Sequence, residues 1–240
     1  MKRCHLCRYF RRIRIKTISM LVPIFKKEEI ILKACPGARL GCLLAKVKVS
    51  PSGVELSSFI EENLSAISQR LELGGIHRIP ALHATREAYR LLGKDPGRYR
   101  LSAEALTRRI VQGKGLYQVS NVVDSLNLVS VKTGFSIGGY DFEKINGAIR
   151  FGRGAAGEPY EAIGRGLLNI EGLPVLRDAI GAFGSPTSDS VRTCTSSGTE
   201  IFLAVFFDFD QNKGLRAAVD EMELMLGKYA EGEVLGRQVF

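Results

Sequence analysis

The 240-residue sequence predicts an α+β domain, and three observations carry the prediction. Helical apolar spacing is concentrated between Leu56 and Val129, whereas strand-length apolar runs set between glycine-rich turns dominate after Gly147. Elements segregated in this way argue against repeated βαβ units. With 45% hydrophobic and 25% charged residues, the chain also carries enough apolar side chains to bury a core rather than stay solvated. The longest apolar run, Ile201–Phe207, is strand length and far short of the roughly 18 residues of a membrane span.

Taken in order, Glu29–Leu32 and Leu43–Val49 read as strands flanking a turn at Pro36-Gly37, and Ser50–Gly53 breaks the pattern. Ser58 and Glu61 have the spacing of a capping box for a helix whose inner face is Leu56, Ile60, Leu64, Ile67 and Leu71, ended by Gly74-Gly75. Pro80 opens a second helix with Leu82, Ala88, Tyr89 and Leu92 inward and Gly93 after its end. A turn at Lys94–Gly97 leads to a third, capped by Ser102, with Leu106 and Ile110 inward and Gly113 as its stop. Ser120 caps a fourth along Val122, Val123, Leu126 and Val129 to Gly134, although its β-branched content leaves a strand open. Gly138-Gly139 reads as a turn before a short helix at Phe142–Ile145. Ile149–Phe151, Leu173–Leu176 and Glu200–Asp208 read as strands, and Leu215, Val219, Met222 and Leu226 mark a final amphipathic helix. No internal repeat or long linker divides residues 21–240, which are expected to form a single domain.

The net charge of +9 is unevenly placed. Residues 1–20 carry +7 with no acid, residues 70–115 carry +6, and residues 116–240 carry −5. The first twenty residues hold Cys4 and Cys7 around His5, but Cys35 and Cys42 stand too far apart to supply a second zinc-binding pair, so no metal is expected. Arg8 to Lys16 interrupts any signal-peptide core, and the Arg-rich start would be an unusually short transit peptide. The segment reads as a disordered tail, or as translation assigned upstream of Met20. Five cysteines make no disulfide scaffold and suggest a reducing, cytoplasmic setting. In the basic middle, Arg78, Arg86, Arg90, Lys94, Arg98, Arg100, Arg108 and Arg109 are candidate phosphate contacts. Arg86 and Arg90, one helical turn apart, suit a phosphate track or, equally, a solvated helix face.

Familiar catalytic signatures are missing. His77 and His83 have no partner at a recognisable spacing, no nucleophile elbow appears, and Gly152-Arg153-Gly154 lacks the third glycine of a dinucleotide site. No cofactor is implied. Ser185–Ser190, with Pro186 and Asp189, and Thr193–Thr199 form a hydroxyl-rich region that either lines a polar pocket or is a mobile loop. Asp124 and Asn127 share a helix face, as a pocket wall or as a bridge to neighbouring loops. Asp141 reads as a turn-former or cap.

Four ordered stretches carry a resemblance. They are Arg86–Arg90 with Gly93–Pro96, Ser102–Arg109, Asn121–Asn127 and Gly139–Ile145. The set resembles the B3/B4 domain of the phenylalanyl-tRNA synthetase β subunit, particularly its stand-alone members, over roughly residues 30–210. The resemblance implies a mixed fold with a β-sandwich-like core and a pocket near the tRNA 3′ end. In the synthetase that pocket hydrolyses tyrosine wrongly esterified to the phenylalanine tRNA. Asn121, Val123, Asp124 and Asn127 match the family's N-x-V-D-x-x-N helix, and Asp141 matches the aspartate that follows its aromatic position, here Tyr140. The chain departs from the synthetase twice. Gly138 stands where the synthetase has a histidine, and the double-glycine segment with an acidic residue is not recognisable around Gly184–Asp189. Asn121, Asp124, Asn127 and Asp141 are thus the pocket candidates. The resemblance implies tRNA or aminoacyl-tRNA as partner, with neither membrane nor DNA. The expected function is hydrolysis of mischarged aminoacyl-tRNA in trans, and the alternative is a non-catalytic RNA- or small-ligand-binding module. A complete synthetase would need more chain.

Overall fold

In the computed structural model, which describes residues 23–240, β1 (Phe25–Lys27) leads through α1 (Glu29–Ala34) to β2 (Arg39–Lys46). Four helices follow, α2 (Val54–Ser68), α3 (Pro80–Leu91), α4 (Ser102–Val111) and α5 (Asn121–Thr133), with a 3₁₀ turn at Leu73–Arg78 between the first two. Strands β3 (Ile137–Asp141), β4 (Ile149–Arg153), β5 (Glu161–Ala162), β6 (Gly166–Leu167), β7 (Pro174–Arg177), β8 (Ala182–Gly184) and β9 (Ile201–Asp208) come next. The chain then runs through α6 (Leu215–Tyr229) to β10 (Glu233–Val239). The expectations for residues 1–20, the Cys4–Cys7 pair included, lie outside the described residues. Among the described residues no helix is long and apolar enough to cross a membrane.

Two four-stranded sheets form an α+β architecture. One has the order β1-β4-β7-β8, with β1 parallel to β4 and the other pairs antiparallel; the second, β10-β2-β9-β3, is antiparallel throughout. The second sheet is covered on both faces, which explains why β9 is buried at all eight positions and reads as an unbroken apolar run. Its Leu203, Val205 and Phe207 pack with Leu40, Leu44, Phe151, Leu176 and Phe183 between the sheets. The alternate residues Phe202, Ala204 and Phe206 face α5 and α6 through Val122, Leu126, Val129, Val219 and Met222. A third cluster joins α3 and α4 to the β5–β6 hairpin and β7 through Leu82, Tyr89, Leu101, Tyr160 and Val175.

Several local expectations are corrected. Glu29–Leu32 is the start of α1, not a strand: only Ile31 is buried there, Cys35 lies one turn further on as the next buried residue, and Glu29 pairs with Lys33 at 2.6 Å across a turn. Helix α2 begins a turn earlier than the Ser58–Glu61 spacing predicts, with Gly53 at its N-cap, so both residues lie within the helix. Gly74-Gly75 falls inside the 3₁₀ turn. Ser102 is the first residue of α4, after Leu101 at the cap. The Gly138-Gly139 pair sits within β3 because both faces of that strand are crowded, as described below. Strands β1, β8 and β10 carry too little alternation to be read from sequence. The ends of α5 are as the sequence predicts: the Ser120 hydroxyl accepts from the Val123 N–H at 3.3 Å, and Gly134 turns left-handed at φ +77°.

Candidate functional site

Helices α4 and α5, strand β3, the β5–β6 hairpin tip and the 187–189 loop enclose a cavity of about 670 Å³. Its apolar wall is formed by Leu106 of α4, Val123 and Leu126 of α5, Ile137 of β3 and Ile163 of the hairpin tip. Asn127, one turn beyond Val123, projects from the same face of α5 into the cavity with Thr187, Ser188 and Asp189. Arg100, Arg109, Lys114 and Arg165 complete the lining as its cations.

The 187–189 loop is held from below by three buried tyrosines, each from a different part of the fold. Tyr89 of α3 is 2.8 Å from the Thr187 hydroxyl, Tyr160 donates to the Ser188 carbonyl at 2.6 Å, and Tyr140 of β3 donates to Asp189 Oδ1 at 2.7 Å. Burial pushes all three phenols upward from their ordinary values, so they remain protonated donors at neutral pH. The Ser185 hydroxyl accepts from the Thr187 and Ser188 amides. Of the two readings left open for this segment, the structure supports a pinned pocket wall.

Asp189 is the acidic group of the cavity. Its Oδ2 accepts from the Gly139 amide at 3.1 Å while Oδ1 takes the Tyr140 hydroxyl. Desolvation raises its pKa to about 7 even though both hydrogen bonds favour the carboxylate. The glycines around it are required by close approach. A Cβ on Gly138 would lie 1.9 Å from the Tyr140 hydroxyl, and one on Gly184 would lie 2.0 Å from the same oxygen. On the opposite face of β3, a Cβ on Gly139 would meet Leu126 at 2.8 Å.

Only one of the four residues singled out as pocket candidates lines this cavity. Asn127 does. Asn121 is buried and spends its whole amide on the scaffold, donating to the Lys48 and Tyr229 carbonyls at 2.9 and 2.8 Å and accepting from the Ser50 and Val122 amides. Asp124 accepts from the Ser52 hydroxyl at 2.5 Å and the Val119 amide at 2.9 Å, bridging two loops. Asp141 caps the Phe142–Lys144 turn through the Glu143 amide and accepts from the Thr199 hydroxyl at 2.9 Å. Asn127 and Asp141 therefore do not meet in this cavity.

The basic middle divides in the same way. Arg86 is only 21% exposed and pairs at 2.8 Å with Glu104, which is 4% exposed and also receives Arg108 at 3.1 Å. Arg90 pairs with Glu87 on the surface, Arg98 lies 3.9 Å from Asp95, and Lys94 sits over the Tyr99 ring. Arg78 is exposed on the 3₁₀ turn and does not line the cavity. Arg86 and Arg90 thus share a helix but not an environment. Arg86→Ala is expected to lower stability by about 1–3 kcal/mol by removing a partner of a buried carboxylate, whereas Arg90→Ala should leave it nearly unchanged. Urea denaturation of the two variants checks this, and equal midpoints would contradict it. Of the candidate RNA contacts, Arg100 and Arg109 reach the cavity; Lys114 and Arg165 join them from outside that set.

Sequence reasoning placed Asp189 only within a hydroxyl-rich segment. The signal for it is an acid in Ser-Pro-Thr-Ser-Asp-Ser directly after the buried strand β8. His77 and His83 are exposed and away from the cavity, whose lining contains neither histidine nor cysteine. Among the described residues, no group of three or more His, Cys, Asp or Glu side chains is placed to hold a metal ion.

An α+β domain with a pocket between its helices and a glycine-rich strand is the class defined by this geometry. The family model described as B3/4 domain matches residues 84–215, and the chain belongs to that family. No curated protein matches the chain. Among solved structures, it is similar to an N-terminal fragment of the phenylalanyl-tRNA synthetase β subunit from Pyrococcus horikoshii, with 12% sequence identity and a TM-score of 0.44. That match covers 88% of this chain and 50% of the fragment, so the chain spans half the fragment's length.

Proposed function

We propose that the cavity receives the aminoacyl end of a tRNA and promotes hydrolysis of a mischarged ester. The observation that carries this reading is a concave site with one carboxyl, Asp189, beside an apolar wall and several cations. At about 670 Å³ it is of the size that takes a small ligand. In this reading the amino-acid side chain lies along Leu106, Val123 and Ile137, and the ionised Asp189 accepts hydrogen bonds from the α-ammonium. Asn127 and the Thr187 and Ser188 hydroxyls orient the ester, while exposed Arg100, Lys114 and Arg165 face phosphates. With no histidine or cysteine in the lining, hydrolysis uses a positioned water assisted by the vicinal ribose hydroxyl. The water oxygen bonds to the ester carbon, the ester C–O bond breaks, and the ribose oxygen leaves with a proton.

The absence of a histidine in the lining also favours a second reading, a binding module without turnover. The two separate when purified protein is incubated with a panel of labelled aminoacyl-tRNAs and ester loss is followed against a no-protein control. Acceleration for at least one non-cognate pair is expected. Binding without acceleration for any pair would leave only the module.

A further inference from the structure

We infer that Tyr117 and Arg109 form a stacking shelf for a nucleobase at the cavity, a feature that rests on the reading that an RNA 3′ end docks there. Tyr117 is 56% exposed, a large aromatic side chain in the segment linking α4 to α5. Gly113 and Gly115, with φ of +71° and +61°, turn that segment back so that Tyr117 lies over a residue eight positions earlier. The Arg109 guanidinium carbon is 3.8 Å from the ring centroid. Both residues line the cavity.

The hydrogen bonds of Arg109 decide what it offers a ligand. Nε donates to the Gly115 carbonyl at 3.2 Å, Nη1 to the Tyr117 hydroxyl at 3.0 Å and Nη2 to the Lys114 carbonyl at 3.3 Å. Each guanidinium nitrogen therefore has a partner within its own segment, which takes up three of the five N–H donors and fixes the group against the Tyr117 ring. The pair presents a planar cation against an aromatic ring. Such surfaces hold unstacked bases at single-stranded RNA ends, where aromatic rings and guanidinium planes replace the neighbouring base. Arg100, Lys114 and Arg165 are different: each is exposed and forms no ion pair among the described residues. Charge attraction and base stacking thus fall on separate residues, and each can be removed without the other.

The test measures binding of a fluorescent 5′-CCA-3′ trinucleotide and of its analogue lacking the terminal adenine base. Wild type is expected to bind the complete trinucleotide more tightly. Tyr117→Ala should weaken it roughly 5- to 100-fold with the salt slope unchanged, and Tyr117→Phe should retain affinity. Arg109→Lys, which keeps the charge and loses the plane, should also bind more weakly. Replacing Arg100, Lys114 and Arg165 together should flatten the salt dependence instead. Equal wild-type affinity for the two probes would overturn the shelf without recourse to any variant. So would Tyr117→Ala binding as wild type, or Arg109→Lys binding as wild type. Tyr117-dependent binding in a protein that deacylates no tRNA would support the shelf and remove only the hydrolytic reading. Binding of neither probe nor tRNA would overturn both.

Discussion

Gly138→Ala should cost about 3 kcal/mol of stability and detach Tyr140 from Asp189. The added methyl would occupy the position of a phenol that cannot retreat. Gly184 lies against the same hydroxyl on its other side, and Tyr140 is fully buried, edge-on to Phe183 at 5.0 Å. Overpacking of this kind typically costs about 1–3 kcal/mol, and loss of a hydrogen bond to a charged acceptor adds about 1.5–3. Denaturation of Gly138→Ala in the wild-type and Tyr140→Phe backgrounds checks the cause. Removing the hydroxyl should recover part of the loss, although the ring carbon at 2.4 Å keeps it from recovering all. Equal losses in both backgrounds would refute the clash. Gly138 therefore has no room for any side chain while Tyr140 is in place.

Asp189→Asn is expected to weaken binding of an aminoacyl-adenosine analogue by about tenfold to a hundredfold at about pH 7.5, where the carboxylate and the α-ammonium are both charged, and little at about pH 5.5. A hydrogen bond between charged partners accounts for a change of that size. Because the pKa of Asp189 is raised to about 7, the carboxylate that receives an ammonium is present only above that pH. Affinity of the wild type should therefore rise through about pH 7, and the variant should lose the inflection. The sign for folding is opposite. An unfolded aspartate titrates near 3.9, so the raised folded value contributes stability that is present below about pH 4 and lost as pH rises through about 7. Asp189→Asn should accordingly gain stability relative to wild type between pH 5 and pH 8. Two denaturation curves for each protein measure it, and a pH-independent difference would show that Asp189 does not titrate in this range.

The helices were the most legible part of the sequence. Pro80, Ser120, Gly93 and Gly134 mark helix boundaries by local chemistry, and α3 and α5 fall where they predict, while the spacing of Leu215, Val219, Met222 and Leu226 marks α6. Strand β9 was legible because burial on both faces makes it apolar throughout. Strand β3 was not, because Gly139 answers to Leu126 and Phe202, and Gly138 to a Tyr140 ring placed by Phe183, Gly184 and Asp189, none of which a local window contains. The site was hidden for the same reason. Asn121 and Asp124 carry the family pattern, but the groups they satisfy lie about seventy or more positions away in sequence, at Lys48, Ser50, Ser52 and Tyr229. Asp189 and Arg165 sit in segments without periodicity, and only the fold brings them to the same cavity as Asn127.

The central strand β2 has a further consequence for how the protein is made. Its neighbours are β9 and β10, and Arg39 at its start pairs with Asp208 across 169 positions. During synthesis β2 leaves the ribosome long before either partner exists, with six successive residues, Leu40 to Ala45, that the finished fold buries. Sheet completion must await β10, about 190 positions after β2. Long-range pairing of this kind slows folding and leaves unpaired apolar strands open to intermolecular contact. The nascent chain should therefore depend on holding factors until β10 emerges, and truncations within the last helix should aggregate rather than yield a smaller folded domain.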